Sequence, residues 1–149
     1  MPRRGGTRST RSTRSGRSGR LSVRYRRRVL ATTRYRVPVE EAGSFLERAR
    51  TALGALAARP GHQWGTVARS TDDPSLWTLS TRWESVGAYR RALGAYEVKL
   101  HAHPLMYLAV NEPSAFEELL TSDATGQVIE HASDRAPDAD TFDLGDALD

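Results

Sequence analysis

The middle of the chain alternates between apolar patterns of period two and of period 3.6, which predicts alternating strands and helices. Residues 29–37 place every second side chain on one face, as expected of a half-buried strand. Pro38 suits the first position of a helix, and apolar residues then recur at helical spacing to about Ala58. The pair Pro60-Gly61 ends this helix.

Two more strands are predicted after this first helix. Residues 62–70 form one of them and carry Trp64 and Val67, and the turn-forming residues 71–74 join it to the strand Leu76–Trp83. Along this third strand, four residues share one face of the pleat, which we expect to be buried: Trp77, Leu79, Thr81 and Trp83. We expect Trp64 to be buried as well.

A second helix is predicted directly after the third strand. Ser85 stands at the N-cap position, where its hydroxyl can accept a hydrogen bond from the first turn. The helical spacing is interrupted at Gly94 and resumes at Tyr96 until Pro104, and residues 115–120 form a short fourth strand. The order βαββαβ predicts an α+β, ferredoxin-like fold with two helices on one face of an antiparallel sheet.

The other face of this sheet is predicted to lack a covering layer. Its side chains are largely apolar or threonine: Leu30, Thr32, Val67, Leu76 and Thr78. An exposed apolar face usually packs against a partner, so we predict a homodimer in which two sheets meet to form a dimeric α/β barrel. We expect Arg34, Arg36 and Arg82 to pair with carboxylates across the sheet or the dimer rather than to bind an anionic substrate.

Charge is distributed unevenly along the chain. The net charge is +4, but residues 1–28 carry +11, residues 29–120 are neutral and residues 121–149 carry −7. These boundaries divide the chain into a disordered Arg/Ser/Thr/Gly-rich basic arm, one folded domain and an acidic mobile tail. The arm either binds nucleic acid non-specifically or has no role. A further alternative is that the natural protein starts at Val23 or Val29 and lacks the arm.

Residue types and motifs that the sequence lacks exclude several classes of site. It contains no cysteine, which removes disulfides, thiolate nucleophiles and cysteine-ligated metal sites. No apolar run approaches the ~20 residues of a membrane span. The N-terminal arginines are not followed by the apolar segment of a secretory signal, so we predict a cytoplasmic protein. No phosphate-binding loop, dinucleotide fingerprint or Ser-His-Asp pattern is present.

Six short motifs extend across residues 29–120: Thr33-Arg34-Tyr35-Arg36-Val37, Arg59-Pro60-Gly61, Asp73-Pro74-Ser75-Leu76-Trp77, Trp83-Glu84-Ser85 with Tyr89-Arg90, Tyr96-Glu97-Val98-Lys99, and Glu112-Pro113-Ser114-Ala115-Phe116. Together they resemble the antibiotic biosynthesis monooxygenase family, a branch of the dimeric α/β-barrel superfamily. The resemblance covers the whole predicted domain. It implies a homodimeric monooxygenase-type enzyme that acts on a small aromatic or polyketide-like molecule.

Quinone-forming members of this family oxidise phenolic rings with dioxygen and without a metal or flavin, because an electron-rich phenolate can itself reduce oxygen. The protein supplies a dry cavity and hydrogen bonds to the developing oxyanion or peroxide. The resemblance implies that Trp83 and Tyr89 match a cavity-lining Trp and Tyr of those members. An Asn four residues before the Trp is replaced by Leu79, and an Arg beyond the second helix is replaced by His103.

Haem-degrading relatives instead use an Asn on the first strand, a Trp on the second helix and a haem-ligating His near the end of that helix. The resemblance places Thr33 and Ala92 at the first two positions, and only the His has a counterpart, at His101 or His103. Haem breakdown is therefore disfavoured. The alternative to an enzyme is a non-catalytic dimer of the same fold that binds a hydrophobic small molecule or haem.

The predicted site is a pocket between the sheet and the helices that uses no cofactor and no metal ion. Its predicted catalytic residues are Trp83, Tyr89 and His103. Its predicted substrate-pocket residues are Thr33, Tyr35, Leu79, Trp77 and His101. Simpler roles exist for each type: a tryptophan can be core, a buried tyrosine can bond to a backbone carbonyl, and His101 and His103 diverge on a helix, which disfavours a shared metal ion.

Overall fold

The computed structural model describes residues 27–133, which include the predicted folded domain. Most of the predicted basic arm and the end of the predicted acidic tail lie outside the described residues. The elements in chain order are β1 (Val29–Arg36), a 3-10 turn (Val39–Glu41), α1 (Ala42–Ala57), β2 (His62–Arg69), β3 (Leu76–Trp83), α2 (Val86–Gly94), α3 (Tyr96–His101), α4 (His103–Met106), β4 (Ala115–Glu117), β5 (Leu120–Ser122) and β6 (Val128–Glu130). Within residues 27–133, no helix is long and apolar enough to cross a membrane.

Strands β1 to β4 form one antiparallel sheet in the order β2-β3-β1-β4. Strands β1 and β3 pair along their whole length, from Val29 opposite Trp83 to Arg36 opposite Leu76. Helices α1 to α4 contribute their buried residues to a single core with one face of this sheet. The predicted α+β, ferredoxin-like arrangement is therefore confirmed.

Side-chain alternation along the two central strands determines the inner face of the sheet. Burial alternates strictly along β3, and its four buried residues are those that the sequence predicts: Trp77, Leu79, Thr81 and Trp83. Helix α1 packs its apolar stripe on this face through Phe45, Ala49, Ala52 and Leu56. Removing these side chains from water is the main favourable contribution to folding.

The junction between β3 and α2 positions the residues that follow Trp83. The Ser85 hydroxyl accepts a hydrogen bond from the backbone N–H of Ala88 at 3.1 Å, which confirms the predicted N-cap. The backbone N–H of Glu84 donates to the carbonyl of Gly61 at 2.8 Å and ties the junction to the turn before β2. Helix α2 therefore begins at a fixed place on the sheet and directs Tyr89 into the core.

The second predicted helix consists of three short helices. An extended Ala95 separates α2 from α3, one residue after the interruption predicted at Gly94. The sequence predicts that the helix ends at Pro104, but α4 contains this residue. The prediction is wrong there because Pro104 lies in the first turn of α4, where its missing N–H has no intrahelical role.

A β-bulge between His62 and Trp64 decides which residues of β2 face the core. Beyond the bulge, Trp64 lies opposite Arg82 on the outer face and is 45% exposed, whereas Val67 lies opposite Leu79 on the inner face. The predictions of a buried Trp64 and an outward-facing Val67 are wrong. One extra residue in a strand moves every following side chain to the other face.

Strand β4 covers only three residues, and the chain after it forms a separate two-stranded hairpin of β5 and β6. Asp123 Oδ1 stabilises the turn by accepting backbone hydrogen bonds from Thr125 at 2.9 Å and Gln127 at 3.1 Å. Gly126 supplies the positive φ of 83° that the turn requires. The predicted tail from residue 121 therefore begins with a hairpin that its low hydrophobicity does not predict.

Candidate functional site

A narrow crevice lies between the inner face of the sheet and helices α1, α2 and α4. Its walls are Ala31, Thr33, Leu79 and Thr81 from the sheet and Leu56, Tyr89 and Met106 from the helical side. Its volume is about 10 Å³, which is the least that holds one water molecule and far too small for an aromatic ring. Of the predicted site residues, the structure brings together Thr33, Leu79 and Tyr89 at this crevice.

Tyr89 is the predicted catalytic residue that lines the crevice. It is 7% exposed, and its ring centroid lies 5.7 Å from that of Trp83 at an interplanar angle of 48°. Burial raises the pKa of Tyr89 and the nearby Tyr35 raises it further, whereas a hydrogen bond with the Ser114 hydroxyl lowers it. The net shift is upward, so the phenol stays protonated at neutral pH and can donate a hydrogen bond.

Trp83 is fully buried, and its indole N–H already has a partner within the protein. The Nε1–H donates to Thr81 Oγ1 at 2.8 Å, and the ring of His62 packs edge-on against the indole with centroids 5.2 Å apart. Trp83 is not among the residues that line the crevice. Its position is that of a core residue that supports the ring of Tyr89.

Thr33 and Tyr35 lie on the inner face of β1 and hydrogen-bond to each other. Thr33 Oγ1 donates to the Tyr35 hydroxyl at 2.9 Å and lies 3.4 Å from the carbonyl oxygen of Leu79. Burial raises the pKa of Tyr35, and the hydrogen bond from Thr33 opposes this shift. Tyr35 is therefore a second neutral phenol inside the core, close enough to Tyr89 for the two to interact electrostatically.

Trp77 continues this row of aromatic side chains away from the crevice. The ring of Phe45 packs between Tyr35 and Trp77, with its centroid 5.2 Å from each. The guanidinium of Arg69 lies over the Trp77 ring, 5.4 Å from its centroid. Trp77 is not among the crevice residues, so the structure does not bring it to Tyr89.

The two predicted histidines lie away from Tyr89. His103 Nε2 donates to the carbonyl oxygen of Leu93 at 2.9 Å and thereby joins α4 to the end of α2. His101 is on the surface, with its Nε2 3.3 Å from a carboxylate oxygen of Glu97. Neither histidine lines the crevice. Among residues 27–133, no group of three or more His, Asp, Glu or Cys side chains is arranged to hold a metal ion.

Two larger recesses adjoin the crevice. The first, which we call the loop recess, has a volume of about 340 Å³ and is lined by Thr33, Ser114 and residues of the segment 106–112. The second, the strand recess, has a volume of about 360 Å³ and is lined by residues of β1, α2 and β4, including Tyr89. The loop recess shares Thr33 and Met106 with the crevice, so the two spaces have a common wall.

The segment between α4 and β4 is anchored to β1 beside the loop recess. The backbone N–H of Thr32 donates to the carbonyl of Ser114 at 2.7 Å, and that of Val110 donates to the carbonyl of Arg34 at 2.8 Å. The guanidinium of Arg34 donates to both carboxylate oxygens of Glu112 at 2.6 Å, and this contact lowers the pKa of Glu112. The segment therefore has a fixed path past the recess.

The arginines of the outer sheet face pair with carboxylates of the same chain. The pairs are Arg34 with Glu112, Arg36 with Asp73, and Arg82 with Glu118, each with an N–O distance of 2.6 Å. The prediction of carboxylate partners is confirmed, and all three pairs form within the chain. These arginines are engaged and do not form an open anion-binding site.

A comparison with protein families identifies the domain that carries this crevice. The sequence model of the antibiotic biosynthesis monooxygenase family matches residues 28–103. The chain belongs to this family. The match includes strands β1 to β3 and helices α1 to α3, and therefore includes Tyr89 and six of the seven crevice residues. The resemblance predicted from the sequence motifs is confirmed.

Several solved structures have the same fold as this chain. A proposed antibiotic biosynthesis monooxygenase from Deinococcus radiodurans is 17% identical with a TM-score of 0.52, and the alignment covers 60% of this chain and 91% of that chain. A conserved protein of unknown function from Bacteroides thetaiotaomicron is 12% identical with a TM-score of 0.55, covering 62% and 98%. SnoaB, a cofactor-independent oxygenase from Streptomyces nogalater, is 25% identical with a TM-score of 0.49, covering 60% and 91%. No match is found among curated protein sequences.

Three residues that the sequence analysis does not assign to the site lie at the crevice or the loop recess: Thr81, Met106 and Ser114. Thr81 lies on the face of β3 that alternation predicts to be buried, so the sequence carries a signal for it. Met106 is the last residue of α4, the short helix that contains Pro104, and Ser114 lies in a turn-forming segment. The sequence pattern carries no signal that either of these two residues lies near the crevice.

Proposed function

We propose that the protein is a cofactor-independent monooxygenase that oxidises a small phenolic or polyketide-like aromatic molecule with dioxygen. Membership of the antibiotic biosynthesis monooxygenase family supports this class of reaction. The observation that carries the proposal is Tyr89, a buried phenol that lines the crevice and whose pKa is raised by burial. A protonated phenol in a dry site can stabilise negative charge that develops in the reaction.

The reaction requires a substrate that supplies its own electrons. The ionised phenol is oxidised by four electrons to a quinone, and dioxygen accepts the same four electrons. One oxygen atom enters the ring as the new carbonyl, and the other leaves as water with two hydrogens of the substrate. Negative charge rests first on the phenolic oxygen and then on the peroxide, and the hydroxyl of Tyr89 would donate a hydrogen bond to this charge.

The organic ring would bind in the loop recess and not in the crevice. The recess has a volume of about 340 Å³, at the lower end of the roughly 300–1,000 Å³ typical of small-molecule sites. Met106 and Val110 give it apolar walls, and Asn111 and Ser114 add polar groups. Because Thr33 borders both spaces, a ring in the recess would lie against the wall of the crevice.

Trp83, Tyr35 and His103 would not contact the substrate, and each has a supporting role in the proposed site. Trp83 is a positioning residue, since its N–H is bonded to Thr81 and its ring packs against Tyr89. Tyr35 would keep Thr33 oriented at the common wall. His103 is assigned a structural role, because its Nε2 bonds to a backbone carbonyl.

Oxygen uptake by chelator-treated, flavin-free protein tests the proposal with dihydroxynaphthalene- and anthrone-type substrates. We expect one dioxygen consumed per quinone formed, and one labelled atom in the product when isotopically labelled dioxygen is used. A haem titration followed at the Soret band is the parallel measurement. Haem binding without oxygen uptake from any phenolic substrate would overturn the proposal and favour a non-catalytic ligand-binding protein.

We also propose that a second copy of the chain covers the outer face of the sheet. Leu30 lies opposite both Phe116 and Arg82 there, Phe116 is 50% exposed, and the guanidinium of Arg82 lies 5.7 Å from the ring centroid of Trp64. Such a face is usually covered in solution. Sedimentation equilibrium at micromolar concentration should give the mass of two chains, reduced towards one by Phe116→Glu. A wild-type mass of one chain would contradict this.

A further inference from the structure

We propose that residues 134–136 dock beside β4 of the same chain as a further strand and so cover the open edge of the main sheet. These residues lie outside the described part of the chain, and their docking does not depend on the proposed reaction. Three features of the described residues support it: the direction of the backbone groups of β4, the register of the β5–β6 hairpin, and the contact made by Ser133.

Strand β4 lies at the edge of the main sheet and, among residues 27–133, pairs with β1 alone. The N–H of Thr32 donates to the carbonyl of Ser114 at 2.7 Å. The N–H of Glu118 donates to the carbonyl of Arg28 at 3.1 Å. Because backbone groups alternate in direction along a strand, those of Ala115 point away from β1, to the open side. An exposed edge of this kind tends to pair with another strand.

The hairpin after β4 brings the chain back along this open side. Its two strands are antiparallel, and their register continues beyond β5 and β6, since the N–H of His131 donates to the carbonyl of Leu119 at 2.9 Å. Two residues further along each strand, the hydroxyl of Ser133 donates to a carboxylate oxygen of Glu117. Ser133 therefore lies beside β4, and the chain runs antiparallel to it at this point.

The same register places the next residues of the sequence opposite the rest of β4. Arg135 would lie opposite Ala115, and the two residues would exchange both of their backbone hydrogen bonds. Asp134 would lie opposite Phe116 in a pair without backbone hydrogen bonds. Pro137 follows, and because proline has no N–H to donate, the added strand would end there.

The side chains of this segment suit the pairing. Residues that face each other across two strands share one face of the sheet, so Arg135 would lie on the inner face with Ala115 and diagonal to Glu117. Arg135 is the one Lys or Arg of residues 121–149, and this register places it beside a carboxylate. Ala115, Glu117 and Tyr89 all line the strand recess, so the added strand would close that recess along its β4 side.

NMR of the full-length protein tests the pairing directly. We expect an Hα–Hα nuclear Overhauser effect between Phe116 and Asp134, because the Cα atoms of such a pair are roughly 4.5 Å apart. We also expect the Ala115 amide to exchange with solvent roughly tenfold more slowly than in a variant that stops after Ser133. The Phe116 amide faces β1 and should exchange equally in both proteins. Absence of the Overhauser effect, or equal exchange at Ala115, would overturn the proposal.

Proline substitutions separate this pairing from a general effect of the tail. Arg135→Pro removes an N–H that would donate to Ala115 and disrupts the pair, so the exchange rate of the Ala115 amide should rise several-fold. Ala139→Pro, beyond the proposed strand, is the matched control and should leave this rate unchanged. Equal exchange rates in the two variants would contradict the proposed register.

A mixture of isotope-labelled and unlabelled chains identifies the chain that supplies the strand. We expect the Overhauser effect between Phe116 and Asp134 only within one chain. An effect between a labelled and an unlabelled chain would show that a second copy supplies the strand, and would overturn the proposal. None of these measurements involves turnover, so their outcome is independent of the test of the proposed monooxygenase reaction.

Discussion

The indole N–H of Trp83 donates to the hydroxyl oxygen of Thr81, two residues earlier on the same strand, at 2.8 Å. Both side chains are buried, so this bond satisfies a donor that water cannot reach. The bond also keeps the indole turned towards Tyr89. Trp83 therefore acts on the site through its neighbours and not through its own donor.

Thr81→Val should destabilise the protein by about 1–3 kcal/mol, because it leaves the buried indole N–H without a partner while preserving side-chain volume. Urea unfolding measures the change. Thr71→Val, at an exposed position in the turn between β2 and β3, is the matched control and should change stability by less than about 0.5 kcal/mol. Equal effects of the two substitutions would contradict the importance of this hydrogen bond.

His62 should make the protein less stable at mildly acidic pH. Its ring packs against Trp83, its Nε2 is buried without a partner among the described residues, and burial lowers its pKa from 6.5. The unfolded chain therefore binds a proton at His62 more readily than the folded chain does. The stability that neutral His62 contributes is complete above pH 6.5 and is lost as the pH falls through the lower pKa of the folded state.

Urea unfolding between pH 5 and 8 measures this loss. His62→Phe keeps an aromatic ring against Trp83 but cannot titrate, so its stability should vary less with pH over that window than that of the wild type. Identical pH dependence in the two proteins would show that His62 is not the responsible group.

Replacing Gly61 and Gly43 by alanine should change the stability of the protein in opposite directions. Gly61 has a φ of 90°, and a Cβ there would lie 2.5 Å from the Cβ of Ala88. Gly61→Ala should therefore cost more than about 1 kcal/mol. Gly43 lies in α1 with nothing within 4 Å of an added Cβ, so Gly43→Ala should stabilise by about 0.4–1 kcal/mol. Thermal unfolding measures both, and a stabilising Gly61→Ala would refute the close approach of the turn to α2.

The sequence predicts the fold well where local patterns and tertiary structure agree. Strand Leu76–Trp83, the cap at Ser85 and the stripe of α1 all follow from periodicity and capping chemistry. The burial of Trp64 is predicted wrongly because one bulge residue moves the following side chains of β2 to the opposite face of the sheet. The alternation of apolar and polar residues does not reveal this bulge. Pro104 is predicted wrongly because a proline that stops one helix can also begin the next.

The site is predicted less completely than the fold. Tyr89, Thr33 and Leu79 line the crevice because they face inward on elements that the sequence predicts. His103 lies elsewhere because the break at Ala102 begins a new helix and turns its imidazole to the end of α2. Contacts between distant parts of the chain, such as that of Ser114 with Tyr89, depend on loop paths that periodicity does not encode.

Ser114→Ala should raise the pKa of Tyr89 further, because the hydrogen bond with the Ser114 hydroxyl lowers it. We expect a several-fold decrease in kcat with little change in unfolding free energy, since Ser114 lies at the edge of the loop recess. The tyrosine titration, followed by NMR of labelled ring carbons, measures the pKa. A Tyr89 titration that does not move would exclude this contact.

The initial rate of oxygen uptake by Tyr89→Phe, compared with that of Tyr96→Phe, tests the central claim most directly. Tyr89 is buried at the crevice, whereas Tyr96 is 73% exposed and does not line it. We expect Tyr89→Phe to lower kcat for a phenolic substrate by about 10²-fold, as for removal of one preorganised donor, and Tyr96→Phe to leave it unchanged. A Tyr89→Phe protein that folds normally and turns over within twofold of the wild type would contradict the account.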